Sequence, residues 1–132
     1  MTTPFVCVLI AFLLIWLARI PVLVALGKQD GVDNKHPHRQ LARLAQLDGF
    51  AARAVGAHRG LAEGFAPFAA GVVIAEIAGA DPRRASVLAI AFVVCEIVYV
   101  LAYLADVDYL RAFVWLIGFL ATIGLYALAA AA

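Results

Sequence analysis

FVCVLIAFLLIWLARIPVLVAL, residues 5–26, runs for 22 residues with a single charge, Arg19. A helix rises about 1.5 Å per residue, so about 20 apolar residues cross the roughly 30 Å hydrocarbon core of a bilayer. No water reaches that core to satisfy peptide groups, which leaves the helix as the spanning conformation for an unbroken run of this kind. The stretch also lacks the basic leader and the small-residue cleavage site of a secretory signal, and it is longer than an ordinary signal core. It is therefore expected to be a retained first span.

The rest of the chain follows the same pattern. Of its 132 residues 66% are hydrophobic and 14% charged, far outside the soluble globular range, and the length suits one domain over residues 1–132. Three further spans are expected, at about Phe50–Ala80, Ala85–Ala105 and Leu110–Ala131. The connections around ADPRR and ADVDY are only a few residues long, so neighbouring spans must run antiparallel. The fold class is an all-α membrane protein, an up-down bundle of four transmembrane helices.

The one long connection, GKQDGVDNKHPHRQLARLAQLDG, is polar and rich in turn formers, and reads as a loop over residues 27–49. It carries Lys28, Lys35, Arg39 and Arg43, and Arg111 lies on the same side, against Arg83 and Arg84 on the other. The excess of lysine and arginine predicts a cytoplasmic loop with both termini outside. A net charge of +1 without a basic segment argues against nucleic acid as a partner. Cys7 and Cys95 each sit in an apolar run without metal-ligand or redox spacing, so both read as small buried hydrophobes, and no metal is expected.

Ionisable residues inside such spans are costly and need a reason. The second span holds RAVGAHRGLAEGFAPF at residues 53–68. At 100° per residue, Arg53, Gly56, Arg59, Gly60, Glu63 and Pro67 fall in a sector about 120° wide, a stripe that excludes His58 and Glu76. Two accounts stand side by side. Arg53 and His58 snorkel to the interface while Arg59 and Glu63 neutralise each other as an i,i+4 pair, or the stripe is a binding site. Gly56, Gly60 and Gly64 suit either close helix packing or room for a ligand.

In the third span Glu96, Tyr99 and Tyr103 share a face. A buried carboxylate needs a partner, and arginines of the second span, within the chain or across a subunit boundary, are candidates. The tyrosine hydroxyls suit a ligand anion or a thiolate, whereas Tyr109 reads as an interfacial aromatic. Arg111 follows the acidic turn Asp106–Val107–Asp108 and lies at the same end as Arg53. Arg19 either snorkels or meets Glu63 or Glu96.

Two stretches carry a family resemblance. DNKHPHRQLARLAQLDGFAARAVGAHRGLAEGFAPFAAGVVIAE, from Asp33, and EIVYVLAYLADVDYLRAF, from Glu96, resemble the membrane-associated proteins in eicosanoid and glutathione metabolism, the MAPEG family, and its bacterial branch in particular. The resemblance implies a homotrimer in a bacterial plasma membrane, with glutathione as co-substrate bound between subunits near the cytoplasmic side. It assigns Arg53, Arg59, Glu63, Tyr99 and Tyr103 to the glutathione pocket and Arg111 to the thiolate. A guanidinium beside a thiol favours its reactive anion.

The implied function is a glutathione-dependent transferase or peroxidase acting on lipophilic electrophiles that arrive from membrane lipid. The sequence departs from the family where Gly60 replaces an asparagine common in glutathione-using members and Gly56 replaces an arginine of some. Glu96 and Tyr99 stand where eicosanoid-type members carry a basic residue and a histidine. The alternative is accordingly a non-catalytic relative that binds a lipid or another small anionic ligand. A small transporter or channel ranks third.

Overall fold

A computed structural model describes residues 1–29 and 37–132. Among the described residues five helices follow in order: α1 (Thr3–Gln29), α2 (Pro37–Ala45), α3 (Gly49–Ile77), α4 (Pro82–Leu104) and α5 (Asp108–Ala131). Four of them, all but α2, are long and apolar enough to cross a membrane, as the four expected spans require. Residues 30–36, and with them Lys35 and the start of the first family-like stretch, lie outside the described residues.

Where residues 27–49 read as a loop, the chain instead continues α1 to Gln29 and then forms the nine-residue α2. The reason lies in PHRQLARLA, whose Leu41 and Leu44 share one helical face while Arg39 and Arg43 share the other. Leu44 packs beside Leu26 and Ala54 at the end of the bundle. The turn formers flanking this segment masked a short amphipathic helix.

The helix ends are built by local chemistry. Asp81 caps α4, its Oδ1 accepting from the Arg84 amide at 2.8 Å, and Pro82 opens the helix. Gly79 adopts φ +73° after α3, with the Gly79 amide donating to Glu76 O and the Ala80 amide to Ala75 O. Asp106 repeats this closure after α4 with φ +61°, its amide donating to Tyr103 O and that of Val107 to Ala102 O. Both are Schellman closures, which reverse the chain within a few residues.

The contacts run antiparallel between sequence neighbours. Down α3 the glycines at 56, 60 and 64 meet Tyr103, Tyr99 and Phe92 with Glu96 in turn, which fixes the register against α4. His58 of α3 reaches Ile15 of α1, and Gly118 and Gly124 of α5 face Cys95 and Leu88 of α4. The α1 and α5 helices each touch both members of the α3–α4 pair. This is the expected up-down arrangement.

Apolar side chains gain little from leaving lipid for protein, so such a bundle holds by close contact of small residues. Its buried set is correspondingly rich in alanine, including Ala11, Ala54, Ala57, Ala89, Ala102 and Ala121. Around them Phe68 and Phe92 stack with centroids 3.9 Å apart, joining α3 to α4. Cys7 and Cys95 are both buried with free thiols, in keeping with their reading as small hydrophobes.

Candidate functional site

The polar side chains expected to act together fall into two connected groups. At the end where α3 starts and α4 finishes, Arg53 donates through Nε to the Leu104 carbonyl at 3.3 Å. Tyr103, one residue earlier on α4, lies beneath the Arg111 guanidinium, with Cζ 4.4 Å from the ring centroid. Arg111 is also held by Asp108, Nη2 to Oδ1 at 3.4 Å, and its side chain keeps 31% of its exposure. Tyr99 continues the array, edge-on to Tyr103 at 5.5 Å and buried against the bundle. Arg53, Tyr99, Tyr103 and Arg111 are therefore brought to one end, as the sequence suggested.

A guanidinium seated on an aromatic face and pinned by a carboxylate is oriented but not used up. It has five N–H donors, and one carboxylate contact leaves others for an anion approaching from the accessible side. Asp108 was visible in the sequence only as part of an acidic turn. Its position three residues before Arg111 at a helix start was the available signal for the pair.

Arg59 and Glu63 form the second group. They make the expected i,i+4 pair, Nε to Oε1 at 3.4 Å, with side chains 81% and 71% exposed on the single chain. Counting along α3, Glu63 stands at the midpoint of the 29-residue helix, about 21 Å from either end. Snorkelling cannot carry a glutamate that far, so this face calls for a protein or ligand cover rather than lipid.

The glycines resolve in favour of packing at two of three positions. A Cβ at Gly56 would collide with the Tyr103 ring and one at Gly60 with the Tyr99 ring, so these sites seat the tyrosines. Gly64 is different: the atoms nearest a Cβ there are Glu96 Oε1 and Phe92 Cζ, both at 3.9 Å. It borders a cavity of about 220 Å3 between α3, α4 and α5, lined by Glu63, Glu96, Phe92, Trp115, Phe119 and Thr122. The last three residues were overlooked in the sequence, although Trp115, Phe119 and Thr122 at i, i+4 and i+7 share a helical face.

Within the single chain, two of the pairings the sequence offered do not form. Glu96 is buried, yet among the described residues neither an arginine of α3 nor any other group forms an ion pair or hydrogen bond with it. The α3 arginines are engaged elsewhere, Arg53 one bundle end away and Arg59 with Glu63. Arg19 meets neither Glu63 nor Glu96. Its guanidinium lies 6.0 Å from the Trp16 ring centroid and borders a small cavity with His58.

His58 points away from the arginine stripe, as its helical angle required, and meets α1 with a hydrogen-bond distance of 3.1 Å between Nδ1 and the Ile15 carbonyl. A carbonyl only accepts, so Nδ1 is the protonated ring nitrogen in this contact. Glu76 is exposed near the end of α3, and Tyr109 is fully outside the bundle at 93% exposure, as its interfacial reading requires.

Four apolar helices with a cationic, tyrosine-lined end define an integral multi-pass membrane protein whose polar site is set into the end of the bundle. The profile of the MAPEG family matches residues 3–131, nearly the full length, and the chain belongs to that family. No significant match was found among curated proteins or among solved structures.

Proposed function

We propose that this MAPEG-family protein is a bacterial-type, glutathione-dependent transferase or peroxidase that acts on lipophilic electrophiles at the cytoplasmic side of the membrane. The observation that carries the reading is Arg111, fixed over Tyr103 at 4.4 Å and still accessible at the bundle end where Arg53 binds the Leu104 carbonyl. Glutathione has two carboxylates, one ammonium and a thiol, and the residues present match that set. Arg53 and Arg59 suit the carboxylates, Glu63 suits the ammonium, and the Tyr99 and Tyr103 hydroxyls lie between them. An extended tripeptide reaches about 10 Å, and arginine arms close the remainder of the roughly 15 Å rise from position 53 to position 63.

When bound, glutathione supplies the nucleophilic sulfur. Arg111 stabilises negative charge on that sulfur, because its guanidinium remains charged where an amine would lose its proton. Tyr103 holds the guanidinium plane, and Asp108 limits its swing. The bilayer delivers lipophilic electrophiles to the same end.

The exposed Arg59–Glu63 pair at mid-span supports a further part of the reading, a homotrimer in which a neighbouring copy covers this face. The mass of the detergent-solubilised particle, after subtraction of detergent, is expected to equal three chains. A monomeric particle retaining full activity would refute the trimer.

Catalysis is tested with purified protein, glutathione, and either a chlorodinitrobenzene-type electrophile or a lipid hydroperoxide. Arg111→Ala is expected to lower kcat/KM at least tenfold in the substrate class that turns over. Absence of turnover above the variant in both classes overturns the enzyme reading. The second reading, a non-catalytic relative holding a lipid or another small anionic ligand, draws on the tyrosine rings that fill the space beside Gly56 and Gly60. Native mass spectrometry showing a retained lipid in a protein without turnover would favour it.

A further inference from the structure

At the end of the bundle away from Arg111, the start of α4 and the finish of α5 border an open groove of about 490 Å3. Arg83 and Arg84 stand at its head, and Val87, Leu88 and Leu128 form its walls. Among the described residues no acidic side chain lines it, and neither guanidinium has an ion-pair or hydrogen-bond partner. Asp81, the nearest acid in the sequence, is engaged as the helix cap, its Oδ1 accepting from the Arg84 amide at 2.8 Å. Two adjacent cations are left with their N–H donors uncommitted.

The depth of the groove indicates what it meets. At 1.5 Å per residue the 23-residue α4 is about 35 Å long, close to the roughly 30 Å of hydrocarbon that it crosses. Its first turn therefore lies at the headgroup boundary, with Val87 about 6 Å further in, at the depth of acyl chains. Beyond Val87 the outward face of α4 continues through Ile90, Val94, Ile97 and Leu101, all exposed and apolar. One wall is held firmly, because a Cβ at Gly124 would lie 3.0 Å from Leu88 Cδ1, which seats Leu88 on the α5 backbone. The groove also opens away from α3, whose exposed Arg59–Glu63 pair a neighbouring copy is proposed to cover. Tyr126 of α5 reaches α3, donating to the Pro67 carbonyl at 3.0 Å, whereas Leu128, two residues later, points about 200° around the helix from it.

From this arrangement we infer that the groove holds an anionic phospholipid of the surrounding leaflet, of the phosphatidylglycerol class. Its phosphate is clamped by Arg83 and Arg84, and one acyl chain lies along Val87, Leu88 and Leu128. Guanidinium groups bind phosphate through paired N–H donors, and arginines at a bilayer surface draw anionic lipid. A zwitterionic lipid is the poorer occupant, because its ammonium would face the same two guanidiniums. A free phosphate would leave the apolar walls unused. The volume falls in the range of about 300–1,000 Å3 that takes a drug-sized molecule, room for a glycerol backbone and the upper part of one chain. The site is independent of the glutathione reading, needing neither thiol nor turnover.

The test is native mass spectrometry of the full-length protein, delipidated in a non-ionic detergent and titrated with dioleoylphosphatidylglycerol, dioleoylphosphatidylcholine or inorganic phosphate. Wild-type protein is expected to retain one phosphatidylglycerol per chain, saturably and at least tenfold more tightly than phosphatidylcholine, and to be indifferent to inorganic phosphate. Joint substitution of Arg83→Gln and Arg84→Gln is expected to erase that preference. Val87→Trp, which projects a ring across the groove and keeps both arginines, is expected to weaken binding at least tenfold. It supplies an independent reading should the double variant fail to fold. Joint substitution of Arg39→Gln and Arg43→Gln, at the other end, is expected to leave binding unchanged. Equal retention of the two lipids by wild-type protein, an undiminished preference in the folded double variant, or indifference to Val87→Trp would each overturn the proposal. An equal loss in the α2 variant would also overturn it, since binding would then follow total charge and not this groove. Displacement of the lipid by inorganic phosphate would overturn it in favour of a free-anion site.

Discussion

At positions 56 and 60 a hydrogen atom in place of a methyl group decides how α3 meets α4. The Tyr99 ring lies where a Cβ at Gly60 would be, with Cε1 and Cζ each 2.8 Å from that point. Tyr99 has little freedom to withdraw, being buried and packed edge-on against Tyr103. Gly60→Ala is therefore expected to cost about 1–3 kcal/mol through overpacking, read as a shift of the unfolding midpoint in mixed micelles. Combining it with Tyr99→Ala removes the obstruction, and the double variant should lose less than the sum of the single losses. Strict additivity would mean that the ring moves aside freely. The same contact explains why the family departure at Gly60 does not leave a gap: the volume passes to a tyrosine of the next helix.

Among the elements, the two short reversals use one geometry with different residues. Gly79 and Asp106 both take the left-handed conformation after a helix, but only glycine does so without a Cβ conflict. Aspartate tolerates the conformation better than most residues, and glycine gives back part of the gain through a freer unfolded chain. Asp106→Gly is accordingly expected to stabilise modestly, by about 0.5 kcal/mol, seen as a higher melting temperature in detergent. A lower melting temperature would mean that the Asp106 side chain contributes more than its backbone costs. The α2 helix shows the opposite economy, since nine residues are too few to hold a helix alone, and Leu44 on the bundle end supplies the missing support.

For the whole molecule, the lysine and arginine asymmetry predicts an orientation. Arg39 and Arg43 on α2 and Arg111 at the start of α5 gather at one end, opposite Arg83 and Arg84 at the start of α4. Positive charge is retained on the cytoplasmic side during insertion. In intact cells, Ala42→Cys should resist a membrane-impermeant maleimide, whereas Ala78→Cys should react. Buried Cys7 and Cys95 keep the background low. Reversed labelling would place the Arg111 end outside and remove it from the cytoplasmic thiol pool.

Spacing and hydropathy alone determined the four spans, their up-down order and the separation of His58 from the arginine stripe, and offered the Arg59–Glu63 pair as one of two accounts, because all of these follow from periodicities within one helix or from connection lengths. The family likeness was legible too, and it rests on the same local stretches. Only the tertiary structure decided what crosses between helices: that Gly56 and Gly60 seat Tyr103 and Tyr99, that Arg111 rests on Tyr103, and that Arg19 turns to Trp16. It also decided that Glu96 borders a cavity and meets no arginine within the chain. The physical reason is that helical angle gives a side chain's direction, while its partner depends on the axial register of another helix. That register is set by the summed contacts of many small residues along the interface, which no single position reveals.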